Sequence, residues 1–179
     1  SPTAKWVYAT ARRGGRVVYA LDVTNVGTPS LLWKIGCPTN LPDIDDPAYV
    51  PGGYPAGIDD GCTSGLSGLG QTWSAPKVLK TLGYVSGTPA TAAPMLIMGG
   101  GYDPCEDEDP IRDSCRSSSK GSHVYLLDAA SGERLWERSA PASSAYGARG
   151  APGDVIRLGI AVHAGRAYRL RVTWRDQAT

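Results

Sequence analysis

The sequence predicts an all-β protein built from a repeated antiparallel unit, and three observations point there. Glycine (23) and proline (14) are frequent for 179 residues and punctuate short apolar runs. Those runs alternate with a period of two, which lays neighbouring side chains on opposite faces of a strand. One arrangement also occurs twice. VYALDVTNVGTPSLLWKI at 18–35 and VYLLDAASGERLW at 124–136 share Tyr19/Tyr125, Leu21/Leu127, Asp22/Asp128 and Trp33/Trp136 in the same order.

The first unit starts with the strand KWVYAT, 5–10. A tight basic turn, 11–15, leads to a second strand, 16–22, and 31–35 is the third. Arg12, Arg13 and Arg16 read as a small basic patch on a solvated turn. Residues 36–72 contain five prolines, many glycines and the acidic run Asp43, Asp45, Asp46, and read as a long surface insertion without regular structure. Strands resume at 73–80 and at 94–99, where PMLIMG is a continuous apolar run of the buried type. Residues 102–121 are a second, acidic insertion.

The hairpin 123–138 closes the second unit. Both faces of its first strand are apolar, which suits a position inside a stack of sheets. Asp128 ends that strand because its carboxylate can accept hydrogen bonds from N–H groups of the following turn. Ser131-Gly132 supply the turn, with Gly132 free to take positive φ. Trp136 is the apolar anchor of the return strand, and Trp6, Trp33, Trp73 and Trp136 all read as strand residues of the core. Four antiparallel strands closed by Asp-turn-Trp is the plan of a propeller blade. The expected architecture is an all-β partial β-propeller of about two four-stranded blades. The blades are 5–35, lacking its first strand, and 73–138, with disulfide-tethered insertions at 36–72 and 102–121.

Residues 1–140, the propeller part, carry 12 Lys+Arg and 15 Asp+Glu, whereas 141–179 carry 6 and 2, an arginine-rich tail of different character. Within it RAYRLRVTW, 166–174, alternates like a strand but has neither an Asp-Gly turn nor a hairpin partner. A net charge of +1 gives no field for nucleic acid or a membrane surface, and no apolar run is long enough to cross a bilayer. The chain begins without Met or a signal peptide, which reads as a piece of a longer protein. Cys37, Cys62, Cys105 and Cys115 lie in loops without a C-x-x-C pair. They point to disulfides and an oxidising compartment rather than to zinc. The short separation of 105 and 115 favours pairing those two, leaving Cys37–Cys62 to close the first insertion.

VYLLDAASGERLWE resembles the repeat of quinoprotein-like propellers. The wider order is GRVVYALDVTNVGTPSLLWKIG, GLGQTWSAPKVLK, APMLIMGGGYDPCEDEDP and then SHVYLLDAASGERLW. It is similar to the C-terminal propeller of the PilY/PilC family of type IV pilus tip-associated adhesins over roughly residues 5–138. The resemblance implies an exported protein of the periplasm, outer membrane or pilus tip of a Gram-negative bacterium. It also implies pilus assembly, surface adhesion and twitching motility, with pilins and minor pilins, host or abiotic surfaces and the remaining blades as partners. The family's calcium loop, of Asp-x-Asp/Asn-x-Asp type, has no counterpart in 141–179. A truncated or frame-shifted product is one explanation of that departure, which the nucleotide sequence would decide.

Asp103, Glu106, Asp107, Glu108, Asp109 and Asp113 form a candidate set of hard oxygen ligands for calcium, against a solvated acidic loop. Asp43, Asp45, Asp46, Asp59 and Asp60 are a weaker set of the same kind. His123 sits on a strand as a packed or edge residue. The serine runs lack a nucleophile elbow, and Gly99-Gly100-Gly101 opens into a loop and no helix, unlike a phosphate cradle. These readings predict a non-catalytic protein without a resident cofactor, calcium excepted. Two rivals share the repeat. A quinone-dependent dehydrogenase would need an adjacent-cysteine disulfide that this sequence lacks, and an outer-membrane assembly scaffold would not need the cysteine-bearing insertions.

Overall fold

A computed structural model describes residues 4–43, 45–47, 54–79, 84–86, 91–92, 94–107, 120–139, 159–160 and 170–171. Among these the regular structure is strand, apart from one 3-10 turn at Pro104–Asp107. β1 (Trp6–Thr10), β2 (Val17–Asp22) and β3 (Ser30–Gly36) make a three-stranded antiparallel sheet in chain order. β4 (Lys77–Leu79) precedes a small hairpin of β5 (Val85–Ser86) and β6 (Thr91–Ala92). With β7 (Met95–Gly99), β8 (His123–Asp128) and β9 (Arg134–Ser139), β4 forms a four-stranded antiparallel sheet in the order β4-β7-β8-β9.

The three strands of the first sheet repeat β7, β8 and β9 of the second. In the first, Trp6 pairs with Asp22, Tyr8 with Ala20 and Ala20 with Trp33. In the second, Met95 pairs with Asp128, Ile97 with Leu126 and Leu126 with Trp136. Even the irregularity is shared: the register shifts between Ala20 and Leu21 in one sheet and between Leu126 and Leu127 in the other. A bulge changes local twist and re-aims the strand after it, so its recurrence at the same step is an independent sign of one structural unit used twice. Three of the four strand positions are matched, and β4 has no partner position in the first sheet.

The core lies between the sheets. Val18, Ala20, Trp33 and Ile35 from one face of the first sheet pack with Leu96, Met98, Tyr125, Leu127 and Ala129 of the second, and Trp6 and Tyr8 border them. Both faces of β8 are covered, as its apolar alternation predicts: Val124, Tyr125 and Leu127 are all buried. The turn after β8 takes the expected form. Asp128 Oδ1 accepts hydrogen bonds from the N–H groups of Ala130 (2.8 Å) and Ser131 (2.7 Å), and Gly132 adopts φ 75°. Trp33 reaches across and donates from Nε1 to the Ala129 carbonyl at 3.2 Å, and the Tyr8 hydroxyl donates to the same oxygen at 3.0 Å. Each such bond contributes about 1 kcal/mol net. They tie the first sheet to the turn of the second.

Four expectations need correction. Trp136, expected as an anchor, is 38% exposed while its counterpart Trp33 is 8% exposed, because the second sheet covers Trp33 and leaves Trp136 on an outer face. Trp73 is half-buried and outside any strand, with the Arg12 guanidinium 5.4 Å from its ring centroid. The insertion 36–72 is not only surface: Leu41, Leu66 and Leu69 are buried, the last two in the inter-sheet core. Finally, residues of the tail do find a hairpin partner, since β10 (Gly159–Ile160) pairs antiparallel with β11 (Leu170–Arg171). No helix among the described residues is long and apolar enough to cross a membrane.

Candidate functional site

The two insertions converge where β2 begins. Arg16 directly precedes β2 and is fully buried (0%), not part of a solvated patch with the exposed Arg12 and Arg13. The reason lies in what surrounds it. Its Nε donates to the Leu69 carbonyl (2.8 Å), Nη1 to that of Ile58 (2.8 Å), and Nη2 to that of Ser67 (2.9 Å) and to Asp59 Oδ1 (2.7 Å). A planar guanidinium with a fixed fork of donors can satisfy several carbonyls at once. Arg16 therefore gathers the segment 58–69 of the first insertion around one side chain.

Lys120, at the end of the second insertion, meets the same carboxylate. Its Nζ donates to Asp59 Oδ2 and to the Ser67 carbonyl. Burial pushes the Asp59 carboxyl up, but hydrogen bonds from Lys120 and Arg16, with the attraction of both charges, bring it below the ordinary aspartate value. Asp59 is thus the shared anion of two cations. Backbone bonds continue the link between the insertions: Gly121 N–H donates to the Gly68 carbonyl (2.8 Å), and Gln71 and Tyr102 exchange N–H bonds with each other's carbonyls (2.9 and 2.8 Å).

A disulfide between Cys37 and Cys62 closes the first insertion beside this node, as the loop positions predict. Thr63 reinforces it, donating from N–H to the Gly36 carbonyl (2.8 Å) while its Oγ1 accepts from Gly36 N–H (3.1 Å). Cys105 is also disulfide-bonded; Cys115, its expected partner, lies outside the described residues.

Cys37, Asp59 and Cys62 each place a ligand-type atom within 4.8 Å of the others. The donor chemistry does not suit a dication. The sulfurs are bonded to one another and offer no thiolate, and each Asp59 oxygen already accepts from a cation.

Of the acidic loop expected to hold calcium, Asp103 is buried and its Oδ1 accepts from the Cys105 N–H at 3.0 Å. Glu106 and Asp107 have described backbone only, and Glu108, Asp109 and Asp113 lie outside the described residues. Asp43 is paired with Arg13 at 2.9 Å and Asp59 with Arg16 and Lys120, so these two members of the weaker acidic set hold cationic side chains. His123 stacks on Tyr125 with ring centroids 5.6 Å apart, a packed residue as its strand position suggests. Burial also raises the phenols of Tyr125 and Tyr8, the latter to about 12, with the Asp128 carboxylate adding to the Tyr8 effect. They act here as neutral packing groups.

Sequence reading missed Lys120, placed Arg16 on a solvated turn and read Asp59 only as a member of an acidic set, so it did not bring the three together. Their separations of 43 and 61 positions leave no local signal. Compared with protein-family models, curated proteins and solved structures, the chain matches none.

Proposed function

We propose that this chain is a two-blade portion of a propeller platform that works outside the cytoplasm in type IV pilus assembly and surface adhesion, without catalysing a reaction. The observation that carries the platform reading is the node itself. Arg16, Asp59 and Lys120 bind the bases of both insertions to one strand end, and the Cys37–Cys62 disulfide closes the first beside it. Loops fixed at the base on a rigid sheet scaffold are a common way to present a binding surface. The matched register and shared bulge of the two sheets support a propeller plan over an unrelated pair of hairpins.

The pilus assignment rests on residue order: ALDVT, LLWKIG, LGQTWSAP and MGGGYD leading into an acidic cysteine loop resemble the PilY/PilC propeller. The disulfide is compatible with export to the periplasm, outer membrane or pilus tip. Pilins, minor pilins, a host or abiotic surface and further blades are the partners this reading names. Calcium belongs to the same proposal, with Asp103, Glu106, Asp107, Asp109 and Asp113 as its ligand pool.

Deleting the gene that encodes this chain tests the reading. Surface pili and twitching should fall, and a wild-type copy should restore both. Normal pili with a lost quinone-dependent dehydrogenase activity would replace it with the enzyme, and normal pili with defective outer-membrane proteins with the assembly scaffold.

A further inference from the structure

We propose that Cys37, Cys62 and Asp59 form a zinc site in the dithiol state of this chain, so that a metal ion and the disulfide are alternative closures of the first insertion. The two sulfurs and a carboxylate oxygen of Asp59 lie within 4.8 Å of one another. In the disulfide neither sulfur is a thiolate. The dithiol is the state of the chain before that bond closes, and a phosphine restores it: the S–S bond breaks, water supplies the oxygen of the phosphine oxide, and two thiols result. Two thiolates and a carboxylate are suitable donors for a tetrahedral zinc ion, with water in the fourth position. Around such an ion a sulfur and a carboxylate oxygen stand about 3.6 Å apart. Asp59 Oδ1 is already 4.0 Å from Cys62 Sγ. The Asp59 side chain is 39% exposed, so water reaches the site.

Backbone bonds that do not involve sulfur hold the three ligands near one another. Cys62 N–H donates to the Asp59 carbonyl at 3.2 Å and Gly61 takes φ 73°, a turn that brings Asp59 and Cys62 together. Thr63 N–H donates to the Gly36 carbonyl (2.8 Å) and Gly36 N–H to Thr63 Oγ1 (3.1 Å), while Cys37 N–H donates to the Arg16 carbonyl (2.8 Å). The electrostatics suit the same ion. Arg16 and Lys120 sit on the two Asp59 oxygens, and cations beside a thiol favour the thiolate. Three anionic donors give the zinc complex a net negative charge, which these two cations offset. Asp59 Oδ1 keeps a second lone pair for the metal while Arg16 holds the first, as ligating carboxylates are themselves hydrogen-bonded. Oxidation reverses the binding. A small disulfide accepts two electrons and leaves as two thiolates, the Cys37–Cys62 bond forms, both zinc–sulfur bonds break and the ion departs. This inference stands on the node and not on the pilus reading.

The experiment titrates zinc, against a chromophoric chelator, into the full chain reduced with a phosphine, as wild type, Asp59→Asn and the paired change Cys37→Ser, Cys62→Ser. Cobalt serves as a second probe, because its sulfur-to-metal charge-transfer band reports thiolate ligation, and circular dichroism follows the fold. Reduced wild type should bind zinc with its strand spectrum retained, and an added small disulfide should release the ion. The paired serine change should abolish the cobalt band, and Asp59→Asn should weaken zinc binding more than about tenfold. If Asp59→Asn is unfolded, X-ray absorption of wild type with one equivalent of zinc takes its place, and should show both sulfur and oxygen neighbours. No uptake by the reduced wild type overturns the proposal, as does uptake with a coil spectrum or equal uptake by the disulfide form. So do a cobalt band that survives the paired serine change, an unchanged affinity in folded Asp59→Asn, and a zinc ion with sulfur neighbours alone.

Discussion

Gly132→Ala probes the contact on which the two sheets depend. The residue sits at φ 75°, where an L side chain costs about 1–2 kcal/mol. The new methyl would also stand 2.8 Å from Trp33 Cδ2 and 3.0 Å from Ile35 Cγ2. Carbon atoms settle at about 3.5–4.0 Å, so Trp33 must shift, and overpacking of this kind costs about 1–3 kcal/mol. The expected loss is about 2–5 kcal/mol, a large share of the ~5–15 kcal/mol of a typical domain. Trp33→Leu removes the obstructing ring at about 2 kcal/mol of its own. In that background Gly132→Ala should cost little more than its backbone strain, giving a coupling of about 1–3 kcal/mol, the overpacking cost. Urea unfolding followed by far-ultraviolet circular dichroism, with disulfides intact, measures all four corners of the cycle. Strict additivity, or a Gly132→Ala cost under about 0.5 kcal/mol, would refute the packing of Trp33 over the turn.

Two further outcomes follow from the node. Asp59→Asn leaves the buried Arg16 without its anion. Losing one partner of a fully buried pair costs about 3–5 kcal/mol, and because the Asp59 side chain is 39% exposed the expected loss is nearer about 2 kcal/mol. The folded-state carboxyl of Asp59 lies below its unfolded value of 3.8, so its stabilisation is present above that pH and is lost as pH falls through the folded value. Melting temperature against pH should show a shallower acid limb in Asp59→Asn than in wild type. The paired change Cys37→Ser, Cys62→Ser opens a loop of 25 residues' separation. Loop-closure entropy puts its loss at about 3.5 kcal/mol, read from the urea midpoint, and no change in that midpoint would contradict the tether.

The strands of the two repeated sheets, their antiparallel pairing and the turn after β8 were legible in the sequence, because each depends on neighbours a few positions apart, whereas the short pairs β5–β6 and β10–β11 carry too few residues to show a pattern. Period-two alternation sets which faces are apolar, Asp128 caps its own turn, and Gly132 takes the φ that other residues resist. The repeat was legible for the same reason, and the Cys37–Cys62 closure followed from loop position. What only the tertiary structure decided is which of two equivalent residues is buried. Trp33 and Trp136 share a local pattern, yet one is covered by a second sheet and the other is not. Arg16 likewise sits in a stretch that reads as a solvated basic turn. Its burial depends on Ile58, Asp59, Ser67 and Leu69 arriving from the insertion to satisfy its donors. A buried charge is tolerable only when its partners are assembled around it, and that assembly is a property of the folded chain, not of any stretch within it.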